Sequence, residues 1–298
     1  MCADAGEAGI GGEAYAARVR AVCLAVLVVA LAGCGGEDDD AAPTTSPEPT
    51  TTATTATTAT TEERTTLRAY FARGEQVGVA TREVERTSAV AAAALRELLA
   101  GPSAEERAAG LDTEIPAGTE LRSVSIAGGT ATVDLSREFE SGGGSASMTL
   151  RVAQVVHTLT QFPTVERVAF RLEGEPVEAI GGEGVVVSPP VDRADFEAQA
   201  PAILVESVGP GDKVASPLRV NGTANTFEAT LNLRLVAEDG TVLHDDFATA
   251  TSGTGTRGTF DVTIEFDAEG PATLVAYEHS AEDGSEINVV EIPVELRR

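Results

Sequence analysis

Residues 121–172 read LRSVSIAGGTATVDLSREFESGGGSASMTLRVAQVVHTLTQFPTVERVAFRL, and this stretch sets the architecture of the first folded region. Two runs, Leu121–Ile126 and Thr130–Leu135, flank Gly128-Gly129, a residue pair that suits a two-residue hairpin loop. Val124, Ile126, Val133 and Leu135 alternate in and out at the period of a strand. After Gly142-Gly143-Gly144 the period changes. Met148, Val152, Val155, Val156 and Leu159 recur as one face of a helix running from about Ser147 to Gln161. Pro163 ends that helix, and Val165–Leu172 with Pro176–Ile180 supply the next strands.

Upstream, Leu67–Phe71 and Val77–Arg82 read as two short strands around Gly74. Ser88–Ala100, SAVAAAALRELLA, is rich in helix formers, with Val90, Ala94, Leu95 and Leu98 spaced to face a sheet. Gly101-Pro102 stops it, and Ser103 with Glu106 has the spacing of a capping box opening a second short helix through Ala109. The order β-β-α-α-β-β-α-β-β over residues 64–193 predicts an α+β domain, a small sheet with helices on one face.

From residue 201 to 298 the pattern turns to short strands with frequent turn signals. They are Ile203–Ser207, Leu218–Thr223, Ala229–Ala237, Val242–Thr249, Thr259–Phe266, Ala272–Ser280 and Ile287–Leu296. Leu231, Leu233 and Leu235 alternate with Asn232 and Arg234, and Asp239-Gly240 and Asp283-Gly284 mark tight turns. This predicts an all-β immunoglobulin-like sandwich without the Cys…Trp…Cys pattern of antibody domains. Asp192–Ala200 is the short join.

The stretches LRAYFARGE, ALRELLAGPSAEERAAGL, TEIPAGTEL, ATVDLSREFESGGG and AQVVHTLTQFPTVERVAFRLEG closely resemble the GerMN domain. That domain occurs in GerM-type sporulation and germination proteins and in LpqB-type envelope lipoproteins. SPLRVNGTANTFEATLNLRL, TSGTGTRGTFDVTI and SAEDGSEINVVEIPV resemble the immunoglobulin-like domain of bacterial spore-germination proteins, which often follows GerMN. The resemblance implies a non-catalytic domain of the cell envelope.

The N-terminal residues place the chain. Arg18 and Arg20 precede the apolar run Ala21–Leu31, too short for a permanent span of ~20 residues and suited to a secretory signal peptide over residues 1–33. Leu31-Ala32-Gly33-Cys34 resembles the lipobox of bacterial lipoproteins. The resemblance implies a diacylglycerol thioether on Cys34 and cleavage before it, fixing the protein on the extracytoplasmic face of the membrane. Two acyl chains hold stably where one holds marginally. The acidic residues Asp4, Glu7 and Glu13 do not suit a signal peptide, and translation is expected to start nearer Val19. Cys2 and Cys23 lie in the removed segment, which leaves Cys34 alone and excludes an intrachain disulfide.

Residues 34–63 form a Thr/Pro/acidic tether with no large apolar residue. Its Gly35–Glu63 part would reach ~90 Å if extended at ~3.1 Å per residue, or average ~30 Å as a flexible coil. The threonines suit O-linked sugars.

Composition narrows the function. Lys+Arg is 21 against Asp+Glu 47, a net charge of −26, which argues against binding nucleic acid by counterion release. Apolar residues at 42% suffice for ordinary cores. Few residues suggest chemistry. Ser145 in Gly143-Gly144-Ser145-Ala146-Ser147 lacks the last glycine of a nucleophile elbow and reads as loop plus helix N-cap. Lys213 has Pro210 where a Ser-x-x-Lys arrangement needs serine. His157 lies off the apolar stripe of its helix and reads as surface or edge packing. His244-Asp245-Asp246 reads as a solvated strand edge, and His279 has no partner at ligand spacing. Gly142–Gly144 before a helix could hold an anion, and Arg257, in the loop Thr251–Gly258, could touch a partner. Tyr70 and Tyr277 lie in strand patterns and suit core packing.

The expectation is a lipid-anchored, non-catalytic envelope protein that holds an envelope protein or cell-wall component, with no cofactor and no metal. A surface lipoprotein regulating a membrane sensor, as in LpqB-type proteins, is the second reading, and a cell-wall hydrolase the third.

Overall fold

The computed structural model describes residues 63–182 and 184–298, which fall in one compact unit. The signal peptide, the start-site expectation, Cys34 and the tether lie outside the described residues.

Strands β1 (Arg64–Arg73) and β2 (Gln76–Glu85) form an antiparallel hairpin around Gly74. Both run beyond the expected limits, because the ladder continues through the polar pairs Arg64↔Glu85 and Thr66↔Glu83, which carry no apolar signal. Helix α1 (Val90–Ala100) buries Ala94, Leu95 and Leu98. Helix α2 (Ala104–Ala108) begins in the expected capping box: Glu106 N donates to Ser103 Oγ at 3.2 Å, and Ser103 N to Glu106 Oε2 at 2.7 Å.

Strands β3 (Leu121–Ala127) and β4 (Thr130–Leu135) meet at Gly128 and Gly129, whose φ values of 56° and 79° are those of a type I′ turn. Ala131, Val133 and Leu135 are buried, but Ile126 is 41% exposed, because β3 is an edge strand with little laid over it. Helix α3 (Ser145–Leu159) then crosses to β5 (Arg167–Leu172), which pairs parallel with β4. Short strands β6 (Glu175–Pro176), β7 (Ala179–Ile180) and β8 (Val185–Val186) complete the domain.

The domain is α+β, but its strands fall into separate sheets rather than one small sheet. β3, β4, β5 and β6 form one, β1 and β2 another, and β7 and β8 a third. The outer edge of β1 is unavailable to a strand because α3 lies along it. Gln161 Nε2 donates to Arg68 O at 2.7 Å while Arg68 N donates to Gln161 Oε1 at 2.9 Å. Tyr70 N donates to Thr158 Oγ1 at 3.1 Å, and Gln154 Nε2 to Tyr70 O at 3.2 Å. Ala72 exchanges backbone bonds with Asp112. Helix α3 is therefore buried on its polar side as well as on its apolar stripe, its amides and hydroxyls standing in for strand partners.

The second domain packs two sheets. One contains β9 (Ile203–Val205), β11 (Leu218–Ala224) and β14 (Gly258–Ile264). The other contains β10 (Asp212–Ala215), β12 (Thr230–Ala237), β13 (Val242–Thr249), β15 (Gly270–His279) and β16 (Glu286–Arg297). Leu231, Leu233 and Leu235 of β12 point into the core, as their alternation predicts. β10 has no counterpart in the sequence reading: four residues with one buried apolar side chain give no periodic signal, yet they pair parallel with the end of β16.

β9 belongs to both cores. Ile203 and Val205 pack in the sandwich, whereas Leu204 packs in the core of the first domain. A strand turns successive side chains to opposite faces, so three residues fasten two domains.

Candidate functional site

A buried polar cluster lies where the domains meet. The join forms a 3-10 helix, Arg193–Gln199, capped by Asp192, whose Oδ1 accepts from Ala194 N at 2.8 Å. Arg193 points inward. Its Nε donates to Thr160 Oγ1 at 2.8 Å, its Nη1 to Glu206 Oε1 at 2.8 Å, and its Nη2 to Tyr70 Oη at 3.1 Å and His157 O at 3.2 Å. Tyr70 Oη donates to Glu206, and Arg193 Cζ lies 5.2 Å from the centre of the Tyr70 ring. One cation thus ties β1, the end of α3 and the first strand region of the sandwich together. Burial, with Glu206 adding, pushes the Tyr70 hydroxyl up to about 12. Burial works against the Glu206 carboxylate too, but Arg193 and the Tyr70 hydroxyl more than offset it and hold its pKa below the usual carboxylate value.

A second contact uses the backbone. A Cβ on Gly209 would lie 2.9 Å from Thr81 N and 3.1 Å from Ala80 Cα, so only glycine allows this approach of the sandwich to β2. Asp212 Oδ2 accepts from Gly209 N at 2.8 Å, and the other oxygen of Asp212 accepts from the Thr81 hydroxyl.

Arg257, expected to reach a partner, is engaged within the chain. Its Nε donates to Glu197 Oε2 at 2.9 Å and its Nη2 to Pro201 O at 2.8 Å. The loop folds back on the join because Glu197 offers a carboxylate there.

The other singled-out residues are dispersed. Ser145 is the first residue of α3, with Gly144 as N-cap, so it is neither loop nor cap. His157 lies twelve residues further along the same helix, ~18 Å at ~1.5 Å per residue, too far for a Ser–His dyad. Gly142 and Gly143 turn with φ of 62° and 82°. The carbonyls there are taken by Arg151, which is 2% exposed and donates to Phe139 O, Ser141 O and Gly142 O, and through Nε to Glu114 O. Beside the glycines, Met148, Thr149, Ile180 and Gly181 line an open hollow of about 310 Å³.

On β13, Asp245 lies opposite Arg234 and His244 opposite Leu235, so the two side chains leave opposite faces. Asp245 is bound by Arg234 at 3.0 Å. His279 Nδ1 contacts Gly284 O at 3.0 Å. Among the described residues, no group of three or more His, Cys, Asp or Glu side chains could hold a metal ion. Tyr70 and Tyr277 are buried.

His157 is not at the surface. It is 2% exposed, its ring centre 5.4 Å from that of Tyr70, and neither ring nitrogen has a hydrogen-bond partner. A helix with a single apolar stripe would leave this position at the surface, but β1 and the join cover that side of α3. Burial, then Arg193 and Arg257, hold its pKa well below the ordinary 6.5. The unfolded chain therefore takes up a proton near pH 6.5 that the folded protein refuses, so stability is full above that pH and falls as the pH drops below it. Stability is expected to fall as the pH drops from 6.5 toward 5, with a limiting slope of ~1.4 kcal/mol per pH unit for one such group. Urea unfolding at both pH values checks this. His157→Phe should remove most of the slope; an equal slope in the variant would assign it to other groups.

The described residues form a two-domain protein, an α+β domain clamped to an immunoglobulin-like sandwich. Residues 68–178 match the Germane family, described as sporulation and spore germination, and residues 202–285 match the immunoglobulin-like domain of bacterial spore germination. The first domain is thus a GerMN domain and the second its germination-type immunoglobulin-like companion.

No curated protein matches the sequence. The solved first GerMN domain of the sporulation protein GerM from Bacillus subtilis is 27% identical, over 44% of this chain and 98% of that one, with a TM-score of 0.38. The tandem GerMN domains of the same protein are 17% identical, over 68% of this chain and 62% of that one, with a TM-score of 0.38. This chain spans less than two thirds of the tandem structure.

Proposed function

We propose that the protein is a lipid-anchored, non-catalytic component of a bacterial cell envelope, fixed through acyl chains on Cys34, in which the two clamped domains hold an envelope partner. The observation that carries this reading is the order of two germination-type domains on one chain, at residues 68–178 and 202–285, behind Leu31-Ala32-Gly33-Cys34. The tether between Cys34 and the first strand supplies reach, and the interface at Arg193 presents both domains as one body. No helix among the described residues is long and apolar enough to cross a membrane; on this reading the acyl chains on Cys34 attach the protein. Ser145 and His157, twelve residues apart on α3, stand too far from each other to work as a nucleophile and its base.

Cells fed an alkyne fatty acid test the anchor. The wild-type chain should carry the label and sediment with membranes, and Cys34→Ser should lose the label and move to the soluble fraction by at least about tenfold, since two acyl chains provide the stable attachment. Membrane retention of unlabelled Cys34→Ser would remove the anchor from the proposal.

A further inference from the structure

One seam of the sandwich is open. β16 pairs with β15 over Val290–Leu296 and again, past a bulge at Asn288 and Val289, over Glu286 and Ile287, but on its other side β10 covers only Val294–Arg297. Over Glu286–Ile292 that side takes no strand among the described residues. Pro293 fixes the parity: its carbonyl points outward to accept from Gly211 N at 2.8 Å, so the N–H and C=O of Glu291, two residues away, point outward as well. A proline is tolerated in a strand where its missing N–H would face away from the ladder. Ile287 and Val289 on this segment are 39% and 45% exposed.

Arg73, the last residue of β1, stands at this seam. Its Nη1 donates a long bond of 3.3 Å to Glu291 O and its Nη2 one of 3.4 Å to Ala109 O, which an incoming chain would have to displace or share, and its buried Nε has no partner. No carboxylate pairs with it among the described residues, in a chain with 47 acidic residues against 21 basic. Burial lowers its pKa, which marks a cation short of compensation.

Two hollows flank the seam, and Arg73 and Val289 line both. One is a slot of about 120 Å³ walled by Val77, Val79, Ile203, Val205 and Ile292; the other is a wider hollow of about 640 Å³ beside Ala109, Thr273 and Pro293. A strand laid along β16 would send alternate side chains to opposite faces, one set to each hollow.

We propose that this seam docks an extended polypeptide C-terminus, which adds a strand to β16, seats an apolar side chain in the smaller slot and places its terminal carboxylate on Arg73. Main-chain bonds supply affinity in such strand addition, and the pocket and the charge supply selectivity. The chain's own tether is a poor occupant: it offers carboxylates but no large apolar side chain for the slot. This deepens the partner-holding reading and rests on it, while the assay is independent of lipidation, so failure of the anchor and failure of the seam are told apart.

The test is fluorescence anisotropy of the full chain in mild detergent. The probes are a fluorescein-labelled peptide GSTVTVTV as free acid, its C-terminal amide, and the free acid with serine for each valine. The free acid should bind saturably, the amide about tenfold or more weakly, and the serine peptide not at all up to on the order of 1 mM. Arg73→Gln should bring the free acid down to the level of the amide and leave the amide unchanged. Glu291→Pro removes an outward N–H without touching the β15 ladder and should weaken both, while Glu291→Gln should bind like wild type. Melting curves confirm that each variant is folded. Equal binding of acid and amide, no binding of the free acid, or full binding by folded Glu291→Pro would overturn the proposal.

Discussion

Replacing Gly222 by alanine is expected to unfold both domains at a lower urea concentration, together and in one transition. The added Cβ would lie 2.0 Å from Leu204 O and 3.0 Å from the Phe260 ring. Gly222 pairs with Val205 in the β11–β9 ladder, and β9 cannot retreat, because Leu204 is anchored in the first core while Ile203 and Val205 are anchored in the second. Overpacking in a tight interior costs about 1–3 kcal/mol and more where the backbone cannot shift. The upper end is expected here, since relief means unpairing β9 from either core. Urea titration followed by circular dichroism and by tyrosine fluorescence reads both domains. Weakening of the sandwich alone, with the first domain unchanged, would show that β9 does not couple them.

Arg193→Met is expected to cost about 3–5 kcal/mol, the range for breaking a buried ion pair from one side. Glu206 would keep the Tyr70 hydroxyl and a distant Arg68 at 3.9 Å, too little for a carboxylate 7% exposed. The expense belongs to the orphaned charge more than to the lost bond. Arg193→Met combined with Glu206→Met should therefore recover most of the loss, because an apolar pair of similar volume needs no compensation. A double variant as unstable as the single one would place the cost in packing around Tyr70 instead.

Much of the fold was legible in local patterns, and the reasons differ by element. Gly128-Gly129 between alternating runs could be read because a type I′ turn demands positive φ at both positions. Ser103 and Glu106 could be read because a capping box has a fixed spacing. The division of the first domain into separate sheets was not legible: Gln154, Thr158 and Gln161 look like a solvated helix face, and only tertiary contact reveals them as partners of the β1 backbone. The burial of His157 was hidden for the same reason. β10 is too short for any period. The interface cluster could not be found from spacing, since Tyr70 and Glu206 are 136 residues apart and neither lies in a motif. Arg257 showed only that a cation sits in a loop; its partner, Glu197, is defined by the turn of the join.

The amides of α3 that occupy the side of β1 have a further consequence. An open β-edge is a template on which a second chain can align, and neighbouring copies at high concentration would meet often enough to exploit it. Here Gln154, Thr158 and Gln161 hold that backbone with fixed side chains, so fibril-like growth from β1 would first require α3 to leave the core. The protein thus carries its own guard against runaway self-assembly at the first strand of its described residues.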